Sequence, residues 1–180
     1  MAKFGLFIGE LLETEGKYVN DPSDSGGETN YGITVAVARA EGYKGAMKDM
    51  PVSFAEKVYK KSYWDPLHLD EFKSQPLAEV LCDMAVNTGV AKAKEVLQKM
   101  INYMTTDNIA VDRVIGRETL SRISQIDTKN EEELAILLVG AMFARHHLEC
   151  MDKAEKNEKY GLGWLRRDRK NILKSLKPTL

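Results

Sequence analysis

Apolar residues recur at helical spacing along almost the whole chain, and one dense run of turn-forming residues interrupts them near the start. Phe4, Phe7, Ile8, Leu11 and Leu12 set the pattern, with the three- and four-residue steps that place side chains on one helical face. They predict a first helix over residues 3–14, with Gly16 as its stop and Glu15 at or just past its end. The interruption is Asn20-Asp21-Pro22-Ser23-Asp24-Ser25-Gly26-Gly27. Each of these residue types favours turns for its own backbone reason, and loops so built are where function concentrates. Flanking extended pieces at 17–20 and 29–33 predict a small β-hairpin or an ordered loop.

The remaining segments read as helices over 34–41, 53–64, 76–87, 91–103, 117–126, 130–151 and 163–176. Ser53 with Glu56 three residues on has the spacing of a capping box. Pro76 suits a helix opening. The fold class is therefore all-α, mainly helical, with a small hairpin or loop after the first helix. At 180 residues the chain is long enough to bury roughly 70% of its unfolded surface without staples. No linker-like stretch divides it, so the halves are expected to share a core.

Composition narrows the function. The formal net charge is −1, which argues neither for nucleic acid nor for an anionic membrane. Arg166, Arg167, Arg169, Lys170, Lys174 and Lys177 face only Asp168 near the C-terminus, a basic run that fits a solvated helix face or contact with acidic wall polymers. Cys82 and Cys150 sit in apolar helical patterns and read as small core residues. No segment reaches the ~20 apolar residues of a membrane span. The start of the chain lacks the features of a signal peptide, so synthesis in the cytoplasm is expected.

Few residues suggest chemistry. Cleaving a glycosidic bond requires a proton on the leaving oxygen, and a carboxylic acid usually supplies it. A glutamate at a helix end, facing a polar loop, suits the task, because partial burial and the negative end of a helix both favour the protonated form. By position alone, Glu15 is also a solvated glutamate. Asp21, Asp24, Glu28, Thr29 and Tyr31 are the partners the loop offers. A second carboxylate would stabilise an oxocarbenium-like transition state or hold a water, while Asp21 is equally a turn former and Thr29 equally a strand residue. Tyr63 and Trp64 have faces suited to sugar rings, yet their helical spacing equally suits a core. His146 and His147 are adjacent and form no metal set. Gly161-Leu162-Gly163 lacks the context of a phosphate loop. No metal or cofactor is implied.

The run from Glu15 to Thr34, EGKYVNDPSDSGGETNYGIT, resembles the N-terminal signature of glycoside hydrolase family 108, roughly E-G-G-[YF] followed by N-D-P-x-D-P-G-G-x-T-x-x-G-I-T. That family contains phage endolysins and secretion-activating proteins with N-acetylmuramidase activity. Tyr63-Trp64 resembles its aromatic pair, and Asp83-Met84-Ala85-Val86-Asn87-Thr88-Gly89 its D-x-A-x-N-x-G element. Leu97-Gln98, the run from Val111 to Leu120, and Gly163-Trp164-Leu165-Arg166-Arg167 are similar to the predicted peptidoglycan-binding module that accompanies it.

The resemblance implies a lysozyme-like fold, with a catalytic lobe over 1–92 and a helical peptidoglycan-binding lobe over 93–180 packed as one compact unit. It implies hydrolysis of the bond between N-acetylmuramic acid and N-acetylglucosamine in peptidoglycan glycan strands. Glu15 takes the catalytic glutamate position, Asp24 and Thr29 echo the Glu, Asp, Thr order of phage-type lysozymes, and Tyr31, Trp64 and Asn87 become candidate substrate contacts. The alternatives are a lytic transglycosylase and a degenerate wall-binding protein aiding secretion. A phage or prophage enzyme of this kind would depend on a holin-like pore for release, acting in the periplasm or cell wall. Two positions depart from the pattern. Lys17 stands where the family has its second glycine, and Ser25 where it has proline.

Overall fold

The structure, a computed structural model, describes residues 1–20, 27–126, 133–142 and 144. The expected helices 34–41, 53–64, 76–87, 91–103 and 117–126 each correspond to an observed one, with a two-stranded sheet after the first helix. The chain divides into two compact units, one of Lys3–Pro66 and one of Met1–Ala2 with Leu67–Leu180.

The Lys3–Pro66 unit begins with α1 (Phe4–Glu15). Phe7, Ile8, Leu11 and Leu12 are its buried residues, the stripe that the apolar spacing predicts. The helix carries Glu15 as its last residue and stops at Gly16, whose φ of 84° with ψ of 177° is a region essentially reserved for glycine. Strands β1 (Thr29–Asn30) and β2 (Ile33–Thr34) pair antiparallel, with Thr29 opposite Thr34 and Asn30 opposite Ile33. The connecting residues Tyr31 and Gly32 have φ of 51° and 71°, as the commonest two-residue hairpin turns require. The tight turn therefore lies at Tyr31-Gly32. The longer polar loop is closed separately, by paired backbone bonds between Val19 and Thr29 of 2.8 and 2.9 Å. Residues 21–26 of that loop lie outside the described residues.

Thr34 caps α2 (Val35–Ala40) by accepting from the Val37 N–H. The buried Asn30 amide donates to the Met47 carbonyl at 2.7 Å, which ties β1 to the short 3-10 turn Met47–Asp49. Helix α3 (Val52–Tyr59) starts after Pro51 without a side-chain cap. Ser53 is already inside it, so the expected capping box does not form there; the fixed φ of proline sets the start instead. Beyond Tyr59 the chain continues as the π-helical segment Lys60–Trp64.

In the other unit, Ser74 caps α4 (Gln75–Thr88) through the Leu77 N–H, and Pro76 lies in its first turn. Val80 to Ala85 are buried without a break, the mark of a helix enclosed on all sides. Gly89 separates it from α5 (Val90–Met104). Ala93, Leu97 and Ile101 make the buried stripe of α5. Helix α6 (Arg117–Gln125) follows, and residues 133–142 are helical. Cys82 is buried, as its apolar setting predicts, and burial pushes its thiol pKa up. Cys150, His146, His147, the Gly161-Leu162-Gly163 run and the basic C-terminal stretch lie outside the described residues. Among the described residues no helix is long and apolar enough to cross a membrane.

Candidate active site

Glu15 sits where a rigid helix ends, which fixes the direction of its side chain, and it is partly exposed. Its carboxylate lies under the hairpin turn. A Cβ placed on Gly32 would stand 2.7 Å from Glu15 Oε2 and 2.6 Å from the Tyr59 hydroxyl oxygen. Real Cβ atoms essentially never come this close, so a side chain there would force Glu15 or Tyr59 to shift, and the φ of 71° favours glycine in any case. The Tyr59 hydroxyl donates to the Tyr31 carbonyl at 2.9 Å. Three elements thus converge on one point: the end of α1, the hairpin turn and the end of α3.

A groove of about 370 Å³ is lined by Gly9, Leu12, Glu13 and Gly16 along α1, and by Lys17, Tyr31 and Val52; Glu15 itself is not part of its lining. Gly9 adds no side chain to obstruct it. Lys17 is exposed and lies at this groove, where the family pattern has glycine.

The other sequence candidates are placed as follows. Tyr31 is partly exposed and lines the groove. The Thr29 hydroxyl donates to the Gly27 carbonyl at 3.4 Å, just before the hairpin. Glu28 accepts from the Tyr18 hydroxyl at 3.3 Å. Asp21 and Asp24 lie outside the described residues. Asn87 belongs to the other unit, part-buried near the end of α4, with its amide donating to the Asp83 carbonyl at 2.7 Å.

Trp64 requires a correction. It is wholly buried, with Phe4 edge-on at 5.4 Å and Phe7 stacked at 6.2 Å. Its ring is spent on the core and has no face for a sugar. Sequence reasoning missed Tyr59 and the role of Gly32. For Gly32 a signal existed, since a two-residue step ending in glycine between Thr29-Asn30 and Ile33-Thr34 is a hairpin cue. For Tyr59 there was none. Among the described residues no group of three or more His, Cys, Asp or Glu side chains could hold a metal ion.

The arrangement sets one partly exposed carboxyl at a helix end beneath a hairpin turn, with Gly16, Lys17 and Tyr31 around it lining a groove. Residues 8–89 match the family described as Glycosyl hydrolase 108. That interval contains Glu15, the hairpin, Tyr59 and Asn87. The solved structure of Brucella abortus SagA is similar along its length, with a TM-score of 0.72 and 26% identity, covering 96% of this chain and 93% of that one. No curated protein matches. The mainly helical fold with its small sheet after the first helix is thus shared with a solved relative. Over residues 8–89 the chain is similar to the glycosyl hydrolase 108 family.

Proposed function

We propose that this protein hydrolyses the bond between N-acetylmuramic acid and N-acetylglucosamine in peptidoglycan, with Glu15 as the proton donor. The observation that carries this reading is the Glu15 carboxylate, held at the end of α1 beneath the Tyr31-Gly32 turn, with its neighbours Gly16, Lys17 and Tyr31 lining a groove of about 370 Å³.

In the proposed reaction Glu15 gives its proton to the bridging oxygen, and the C1–O bond breaks as positive charge develops on the sugar ring. A water oxygen then forms the new bond to C1 and loses a proton, for which Asp24 is the proposed acceptor. Thr29 is proposed to orient that water. Its hydroxyl proton is given to the Gly27 carbonyl, which leaves oxygen lone pairs to receive a water hydrogen. Tyr31 is the proposed sugar contact at the groove; Asn87, which lies in the other unit, is separately proposed to contact sugar. Trp64 is excluded by its burial.

Lys17 supports a second reading. A cation at the groove where the family carries glycine suits a protein that binds the wall without cutting it. Access to the wall is proposed to depend on a holin-like pore, and cells lacking any such pore should keep the protein out of the periplasm.

Mass spectrometry of fragments released from purified sacculi tests the chemistry. Hydrolysis leaves free reducing ends on N-acetylmuramic acid. Exclusive 1,6-anhydro ends would convert the assignment to a lytic transglycosylase, and binding without fragments would favour the wall-binding reading.

A further inference from the structure

Tyr59 reaches the hairpin from 28 positions along the chain and touches it at its most constrained point. Tyr31 holds a φ of 51°, a left-handed conformation that side chains with a Cβ seldom adopt. The Tyr59 hydroxyl donates to the carbonyl of that same residue at 2.9 Å. The Tyr59 ring is buried and lies against the Tyr63 ring at 5.6 Å, so packing sets where the hydroxyl stands. It is also the last residue of α3, immediately before the switch to π-helical geometry at Lys60, an irregularity that frequently accompanies functional sites. On the far side of the turn, Gly32 leaves open the small space that the Tyr59 oxygen and Glu15 Oε2 both approach.

We propose that Tyr59 is a positioning residue for the Glu15 acid: it pins the Tyr31-Gly32 turn, and the pinned turn with its bare glycine fixes where the Glu15 carboxyl sits. The inference rests on the reading of Glu15 as proton donor.

Initial rates on solubilised glycan strands test it, because a displaced acid lowers kcat while substrate affinity is kept. Tyr59→Phe should lose roughly tenfold in kcat with KM within about twofold, and Gly32→Ala roughly a hundredfold, the scale expected when a reacting group is misplaced. In the Tyr59→Phe background, Gly32→Ala should cost less than it does alone, since the oxygen at 2.6 Å that the new Cβ meets has gone. Tyr43→Phe loses a comparable hydroxyl bond, to the Ala46 carbonyl at 3.1 Å, and should leave kcat unchanged. Wild-type kcat in Tyr59→Phe, beside an inactive Glu15→Gln, would overturn the positioning role and leave the acid in place. An active Glu15→Gln would remove the acid itself.

A readout free of activity is amide exchange at Gly32 and Ile33. Tyr59→Phe should accelerate it roughly tenfold, the scale of one lost hydrogen bond, and Tyr43→Phe should not. Exchange unchanged in Tyr59→Phe would overturn the pinning, whatever the activity.

Discussion

Trp64, Lys17 and Glu15 show how much one side chain's surroundings decide. Trp64 fills the space beside Phe4 and Phe7, so Trp64→Ala should cost about 3–5 kcal/mol of stability by leaving a cavity, read from denaturant unfolding. A stable variant with weakened glycan binding would restore the ring as a sugar contact. Lys17 is exposed, and water and salt screen such a charge. Lys17→Gly should therefore change the rate by no more than about fivefold, with the difference vanishing at high salt; a larger, salt-independent change would give Lys17 a direct part at the site. Glu15 stands out as a candidate in the sequence because it heads a long ordered signature. Tyr59 does not, because an aromatic on an apolar helical face reads the same whether its hydroxyl is idle or bonded. Its partner here is a main-chain carbonyl, which leaves no trace in residue identity.

Among the elements, α5 and the loop after it are joined by a charged and polar network. Lys99, Lys92 and Arg113 all donate to Glu95, at 2.6, 3.1 and 2.8 Å. Those bonds, Lys99 first, hold the Glu95 carboxyl down from its ordinary 4.5 to about 2. A depressed carboxyl pKa contributes stability that is fully present above the unfolded value and is lost as pH falls through the folded one. The melting-temperature gap between wild type and Glu95→Gln should thus be constant above pH 4.5, narrow below it and close near pH 2; a gap that persists at pH 2 would show that the charge is not its source. The buried Gln98 amide donates to Asp112 at 2.8 Å and receives the Arg113 N–H at 2.9 Å, and the bond from Gln98 is the first cause of a lowered Asp112 pKa. At the head of α4, Ser74→Ala should cost about 1 kcal/mol through loss of its cap on Leu77; no change in unfolding free energy would show that the cap is dispensable.

Apolar spacing located these helices well, because burial stripes leave a direct mark on residue order. It did not reveal the π-helical stretch at Lys60–Trp64, since a shifted hydrogen-bond ladder barely changes which positions are apolar. The false capping box at Ser53 has a similar origin. Ser and Glu at the right spacing satisfy the pattern, but Pro51 had already fixed the start of the helix.

For the whole molecule, a near-neutral chain with net charge −1 has little long-range field with which to gather a substrate, so the recognition proposed above would depend on short-range contacts at the groove. The likeness to SagA runs over 96% of the chain, while the family match is confined to residues 8–89. Residues 93–180 are proposed as the wall-binding lobe on the strength of their sequence elements, and their part in the fold was legible only as far as α5, α6 and the helical residues 133–142. If the lobe binds independently of catalysis, Glu15→Gln should pellet with sacculi as well as wild type does; loss of binding in that variant would place Glu15 in recognition as well. The most direct test of the central claim is the loss of turbidity of purified sacculi, with wild type beside Glu15→Gln from about pH 4 to 8, the range over which a glutamate acid is tuned. Clearing by wild type and none by Glu15→Gln is the predicted result. Equal clearing by both would contradict Glu15 as the acid, and no clearing by either folded protein would contradict hydrolysis itself.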